Sequence, residues 1–245
     1  MSRVPWSEIG TVFLDAGNTL VCIDFPYVAG LLAERGILVE PGTLMRAEAA
    51  ARPELSRWLG GERSTETEET FRFFLRNVLG RLAPAAARGP DAVAALTDEL
   101  LPVLRRRGQS DRLWSQVLPG VPEALGRFRE MGLQLVVVSN SDGTAERGLE
   151  AAGLRGFFDL VFDSAVVGFE KPDPRFFEHA LDRAGARAER VVHVGDLYHA
   201  DVTGARAAGV HAVLLDPYDD WPEVDVERAH GLLDLAERLA GARER

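Results

Sequence analysis

The strongest constraint on this chain is a repeated transition. A short apolar run ends abruptly in a polar or charged residue, and an amphipathic stretch follows. The apolar runs cover residues 11–14, 133–138, 160–162, 191–194 and 212–215, and stretches 121–130 and 175–184 have helical periodicity. Runs of this length, without polar alternation, have the pattern of strands buried on both faces. Their alternation with helices predicts an α/β fold, a doubly wound parallel sheet covered by helices. Ligands of such sheets bind just beyond the carboxyl ends of the strands. The residues that end each run are therefore the candidates for chemistry.

Residues 25–114 interrupt this rhythm. The span is rich in Ala, Leu, Arg and Glu. Segments 27–34, 67–82 and 91–106 read as amphipathic helices, with Pro53, Pro84, Pro90 and Pro102 as breaks or first turns. The expected organisation is a core formed by residues 1–24 and 115–245, with 25–114 as an inserted α-helical domain. Arg105-Arg106-Arg107 reads as a solvated helix end in preference to a phosphate clamp. Phe25, Trp58, Phe73 and Phe74 read as core from their helical spacing.

Charge narrows the partners. A formal net charge of -10 sets the chain as a whole against phosphate backbones and anionic lipid, so neither nucleic acid nor a membrane is an expected partner. A small anionic substrate remains compatible, because nearby groups set the field inside a site. The single cysteine, Cys22, cannot form an internal disulfide. No segment approaches the roughly 18 uninterrupted apolar residues of a membrane span. A cytoplasmic protein is the expectation. Lys171 is the only lysine, every other basic side chain being arginine. That bias has two readings, chance or a requirement for a compact ammonium that Arg's planar fork fills poorly.

The first run ends in Asp15-Ala16-Gly17-Asn18-Thr19-Leu20 and the second in Ser139-Asn140-Ser141. Glu170-Lys171-Pro172-Asp173-Pro174 and Gly195-Asp196-Leu197-Tyr198-His199-Ala200-Asp201 follow later. Each has a structural reading on its own: Asp15 or Asp196 as a helix cap, Ser139 in a turn, Lys171 as a surface ion. Together they would place carboxylates, an ammonium and a hydroxyl on one sheet edge. Such a set can hold a hard cation and an anion at once, and a carboxylate there can act as a nucleophile.

The order Asp-x-x-x-Thr-Leu, Ser-Asn, Lys-Pro-Asp-Pro and Gly-Asp-x-x-x-x-Asp resembles the four signature motifs of the haloacid dehalogenase-like (HAD) hydrolase superfamily. An insertion of helices between the first two motifs is similar to the cap of the subgroup that includes haloacid dehalogenases and many small-metabolite phosphatases. The resemblance implies a Rossmann-like core and an aspartyl intermediate on Asp15. It further implies that Ser139 and Asn140 contact the substrate, that Lys171 balances the charge of Asp15 and substrate, and that Thr19 supports the nucleophile loop. Mg2+ would be held by Asp15, the Gly17 carbonyl, Asp196 and Asp201. The implied activity is phosphatase, on a small phosphate ester.

One position departs from the family pattern. Phosphatases of this superfamily carry a second Asp two residues after the nucleophile, and here that residue is Gly17. The missing carboxylate is the usual general acid and base, worth roughly 10²–10⁴-fold. A cap residue, His199, Tyr198 or Glu170 could replace it. Alternatively Asp15 attacks carbon, as in haloacid dehalogenases, or the chain is a catalytically weak binding or regulatory relative. Phosphonate-cleaving relatives need a cap lysine, and the insertion contains none.

Overall fold

The computed structural model describes residues 4–60, 63–106, 108–221 and 224–244. Its main sheet has six strands, each pairing parallel: β1 (Thr11–Leu14), β4 (Gln134–Ser139), β5 (Leu160–Asp163), β6 (Val191–Gly195), β7 (His211–Leu215) and β8 (Glu227–Ala229). Their order is β5-β4-β1-β6-β7-β8. The chain therefore winds outward from β1 on one side and then on the other. The carboxyl ends of β1, β4 and β6 meet where the winding reverses, the point at which open α/β sheets bind ligands.

Strand pleating distributes the apolar residues to both faces. Val12 and Leu14 pack with α7 (Val121–Glu130) and α12 (Leu232–Arg243), while Phe13 on the opposite face joins α10 (Pro174–Ala184) and α11 (Gly204–Ala207). This is the doubly wound, helix-covered sheet that the apolar runs predict. β8 escapes prediction because three residues reading Glu-Arg-Ala carry no apolar signal.

Between β2 (Val21–Ile23) and β3 (Trp114–Val117), which pair antiparallel, lie α1 (Phe25–Ala33), α2 (Pro41–Leu59), α3 (Glu68–Arg81), α4 (Ala83–Ala86), α5 (Pro90–Leu104) and α6 (Ser110–Leu113). These helices close on an apolar cluster of their own, including Leu32, Ile37, Leu44, Leu59, Leu79 and Leu100. Phe25 and Phe74 are buried in it, with Trp58 and Phe73 packed against it. Trp114 packs against both this cluster and the sheet cluster.

Prolines divide the expectations. Pro84 and Pro90 occupy first turns, as predicted, where the missing N–H costs nothing. Pro53 and Pro102 instead lie inside α2 and α5, and neither ends its helix. An internal proline costs about 3 kcal/mol, and burial of Leu55 and Leu59 beyond Pro53 holds the helix together across it. Arg107 lies outside the described residues. Among the described residues no helix is long and apolar enough to cross a membrane.

The remaining site-bearing elements follow β4, β5 and β6. They are α8 (Ala145–Ala151), α9 (Ser164–Val167) and a π-helical turn, Tyr198–Thr203, of the kind often found at functional sites.

Candidate active site

Asp15 is the first residue beyond β1, and its backbone N–H donates to the Val194 carbonyl of β6 at 2.9 Å. Ser139 ends β4, Asp196 follows β6, and Asp201 sits in the π turn. Lys171 precedes α10, whose first turn is organised by Pro174 and by Asp173 accepting from the Arg175 N–H. Four segments far apart in sequence thus deliver their polar residues to one edge of the sheet.

The contacts are short. Lys171 Nζ donates to Asp15 Oδ1 at 2.6 Å and to Asp201 Oδ1 at 2.7 Å. Lys171 is only 3 % exposed and Asp201 1 %. Asp201 Oδ2 also accepts the Leu197 N–H at 2.9 Å, and His193 Nε2 lies 2.9 Å from Asp201 Oδ1. Carboxylate oxygens of Asp15, Asp196 and Asp201 lie within 4.8 Å of one another. All three are buried.

Electrostatics follow from that burial. Desolvation pushes Asp15 up to about 6, against the pull of Lys171. Desolvation likewise pushes Asp196 up to about 8, with Arg52 opposing and Asp201 and Asp15 adding. Asp201 is buried too, but Lys171 and His193 overcome that penalty and hold it well below the usual carboxylate range. Burial alone would lower Lys171; Asp15 and Asp201 outweigh it and keep the ammonium above its ordinary value. His193 is lowered by its burial, which favours a neutral ring whose Nε2–H serves Asp201.

Helix α2 of the insertion reaches this cluster. Glu48 and Arg52, four residues apart, form a buried pair at 2.5 Å. Arg52 Nε lies 3.3 Å from Asp196 Oδ2. Asn18 Nδ2 contacts both Glu48 Oε1 at 2.9 Å and Asp196 Oδ2 at 3.1 Å. Four carboxylates, Asp15, Asp196, Asp201 and Glu48, face two cations, Lys171 and Arg52. With every carboxylate ionised the cluster carries an excess of two negative charges, and this all-oxygen donor set fits one hard divalent ion, whose charge would also draw the proton from Asp196.

The other residues singled out in the sequence fall into place around this centre. Asn140 is used up locally: its Oδ1 accepts the Lys171 N–H at 2.7 Å and its Nδ2 donates to the Lys171 carbonyl at 2.9 Å, so it clamps the lysine loop. Ser139 is buried, with a long 3.3 Å bond to the Asn140 carbonyl. Thr19 Oγ1 is buried in the nucleophile loop without a partner among the described residues. A Cβ on Gly17 would stand 3.4 Å from the Trp114 indole, so the space beside position 17 is walled by an aromatic ring. His199 donates its backbone N–H to Ser56 Oγ of α2, Tyr198 packs toward Trp221, and Glu170 Oε2 accepts from Ser64.

Sequence reasoning missed His193, Glu48, Arg52 and Trp114. His193 is hidden inside the apolar run of β6. Glu48 and Arg52 carry only an i,i+4 spacing, which ordinary surface pairs share.

Gly195 is tested sharply by Asp201. A Cβ there would meet the Asp201 carboxyl carbon at 2.2 Å. Gly195→Ala must therefore displace the carboxylate from Lys171 and His193. Expected are a loss of roughly 3 kcal/mol in urea unfolding, as when a buried pair is broken, and at least a 10²-fold drop in turnover, roughly the effect of losing one preorganised electrostatic group. Wild-type stability in that variant would refute the packing argument.

Buried acidic and basic groups converging where the winding of a parallel sheet reverses have the arrangement of an enzyme site at strand ends. The chain is a member of the haloacid dehalogenase-like hydrolase family, whose model matches residues 9–209. Haloacid dehalogenase-like hydrolase domain-containing protein 3 of Bos taurus is 39% identical over 63% of this chain, which spans 61% of that protein. Its Homo sapiens counterpart is 33% identical over 95% of this chain and 93% of its own length. The ribulose-1,5-bisphosphate 5-phosphatase of Halopiger xanaduensis is 32% identical over 70% of this chain and 67% of that enzyme. Among solved structures, a 2-haloacid dehalogenase from Pseudomonas syringae pv. Tomato superposes with a TM-score of 0.56 at 26% identity, covering 95% of this chain and 99% of that one.

Proposed function

We propose that this hydrolase is a Mg2+-dependent phosphatase of small phosphorylated metabolites, with Asp15 as the nucleophile. The observation that carries the reading is the Asp15–Lys171–Asp201 chain set beside Asp196 and opening on a cavity of about 940 Å³. Residues 25–114 act as the cap and 1–24 with 115–245 as the core, so the cap walls the cavity with residues such as Leu55, Phe71 and Phe74. The similarity to a named phosphatase supports the same reaction class.

Each residue then has a physical task. Lys171 keeps Asp15 ionised at neutral pH and offsets the charge of an incoming dianion. Ser139, whose one long bond is easily exchanged, donates its hydroxyl to a phosphoryl oxygen. Asn140 keeps Lys171 in register, and the Thr19 backbone N–H closes the turn after Asp15 on the Ala16 carbonyl at 3.4 Å. Asp15, Asp196, Asp201 and the Gly17 carbonyl would hold Mg2+, which supplies charge neutralisation for the transferring group when bound.

The test is phosphate release from a panel of phosphorylated metabolites with and without Mg2+. Expected is metal-dependent turnover, lost on chelation; equal rates after chelation would overturn the reading. The Trp114 wall beside Gly17 favours one rival, attack on carbon with a halide leaving group that needs no acid. Halide release from a 2-haloacid without phosphate-ester hydrolysis would establish that rival instead.

A further inference from the structure

The proposed phosphatase has no carboxyl at position 17, and one carboxyl of the insertion, Glu66, lines the same cavity as Asp15. Residues 64–66, ahead of α3, dock on residues beside the site. Asn140 Nδ2 donates to Thr65 Oγ1 at 2.9 Å, and Ser64 Oγ donates to Glu170 Oε2 at 2.8 Å. Thr65 Oγ1 in turn donates to Glu66 Oε1 at 3.3 Å. Glu66 therefore stands two hydrogen bonds from Asn140, which grips the Lys171 backbone. Arg105 donates to the Glu66 carbonyl and steadies the loop from α5's end.

The other carboxyls lining the cavity are occupied. Glu48 receives Arg52 through both oxygens. Asp111 is paired with Arg147. Asp142 accepts from the Gly108 N–H and from the hydroxyls of Ser110 and Thr144. Glu68 is exposed and bridged to Arg72. Glu170 accepts from Ser64 at 2.8 Å, a shorter bond than the 3.3 Å one on Glu66. Glu66 has only the long bond from Thr65 on its carboxyl among the described residues.

We propose that Glu66 is the general acid and base of this site, contributed by the inserted helices in place of the carboxylate absent at Gly17. The proposal rests on the phosphatase reading. As Asp15 forms its bond to phosphorus and the ester P–O bond breaks, the Glu66 carboxyl gives its proton to the departing alkoxide. Glu66 carboxylate then takes a proton from water as the hydroxide portion bonds to phosphorus. The acyl–phosphate bond breaks, and Asp15 and protonated Glu66 are restored with hydrogen phosphate released. The environment suits both roles: burial lifts Glu66 to about 7, with Arg105 and the Thr65 hydroxyl pulling down and Asp142 and Glu170 pushing up.

Leaving-group dependence separates this role from a structural one. In Glu66→Gln, hydrolysis of a primary alkyl phosphate with Mg2+ should fall about 10²–10³-fold, and its basic limb near neutral pH should vanish. With 4-nitrophenyl phosphate, whose leaving group needs no proton, the first equivalent of nitrophenolate should appear as a burst at near wild-type rate. Slow turnover should follow, and acid-quenched protein should carry phosphate covalently. Glu66→Asp should restore part of the alkyl-phosphate activity with the basic limb present. Unchanged rates, or equal losses on both substrates without a burst, would overturn the Glu66 role while leaving the phosphatase reading intact. If wild-type protein hydrolyses neither ester with Mg2+, both fall together.

Discussion

Asp15→Asn is expected to remove at least about 10⁴-fold of turnover, comparable to losing a central catalytic group elsewhere, while leaving the fold intact. Asn matches Asp in shape and keeps the backbone bond to Val194. It also removes one of three carboxylates crowded within 4.8 Å, so the loss of the Lys171 contact is offset by less repulsion with Asp196 and Asp201. Stability should therefore change by no more than about 1 kcal/mol, the scale of an ordinary net hydrogen bond. Turnover and urea unfolding measured on one preparation decide the matter. Activity surviving in a folded Asp15→Asn protein would remove Asp15 from the chemistry altogether, and no phosphorylated chain should form in it.

Lys171→Met is expected to have the opposite profile, a large loss of stability as well as of activity. The ammonium is buried and serves two carboxylates at once, so its removal leaves Asp15 and Asp201 facing each other in a dry site. Breaking a buried pair from one side costs about 3–5 kcal/mol. The cost should depend on pH in a definite direction. Without Lys171 the folded-state pKa of Asp15 rises further above its unfolded value, so the variant's folded state binds extra protons. Its stability is then fullest in acid and declines as pH rises through the folded pKa. The destabilisation relative to wild type should be larger at pH 8 than at pH 5, by denaturant unfolding. A pH-independent difference would show that the pair does not govern the site. Lys171→Arg should not rescue activity, because a planar fork cannot reproduce one nitrogen contacting Asp15 and Asp201 at 2.6 Å and 2.7 Å in that space.

Much of this site was legible before any coordinates. The apolar runs located five of the six strands of the main sheet; Asp15, Ser139 and Asp196 at their ends, with Lys171 and Asp201 from the segments that follow, are brought together. Local periodicity reports burial, and strand length reports a parallel sheet, so both can be read along a line. The lone lysine has its physical reason in the fork between two carboxylates. The helical stretches 27–34, 67–82 and 91–106 fall on α1, α3 and α5, though Pro53 and Pro102 read as breaks where tertiary packing carries α2 and α5 through them.

Other features depended on contacts between segments that carry no mutual signal. Glu48 and Arg52 have the spacing of any solvent-exposed helix pair; only the packing of α2 over the sheet edge puts them on Asn18 and Asp196. Trp114 fills the space beside Gly17 because β3 pairs with β2. Glu66 became distinct from many other glutamates when its loop docked on Asn140. By itself the sequence determined a parallel α/β core and the order of the polar residues at and after its strand ends. The tertiary structure decided which side chains of the insertion reach that core. Burial patterns are encoded locally in hydrophobic periodicity, whereas convergence across the long spans of chain that separate Asn18, Glu48, Asn140 and Asp196 is set only when separate elements pack.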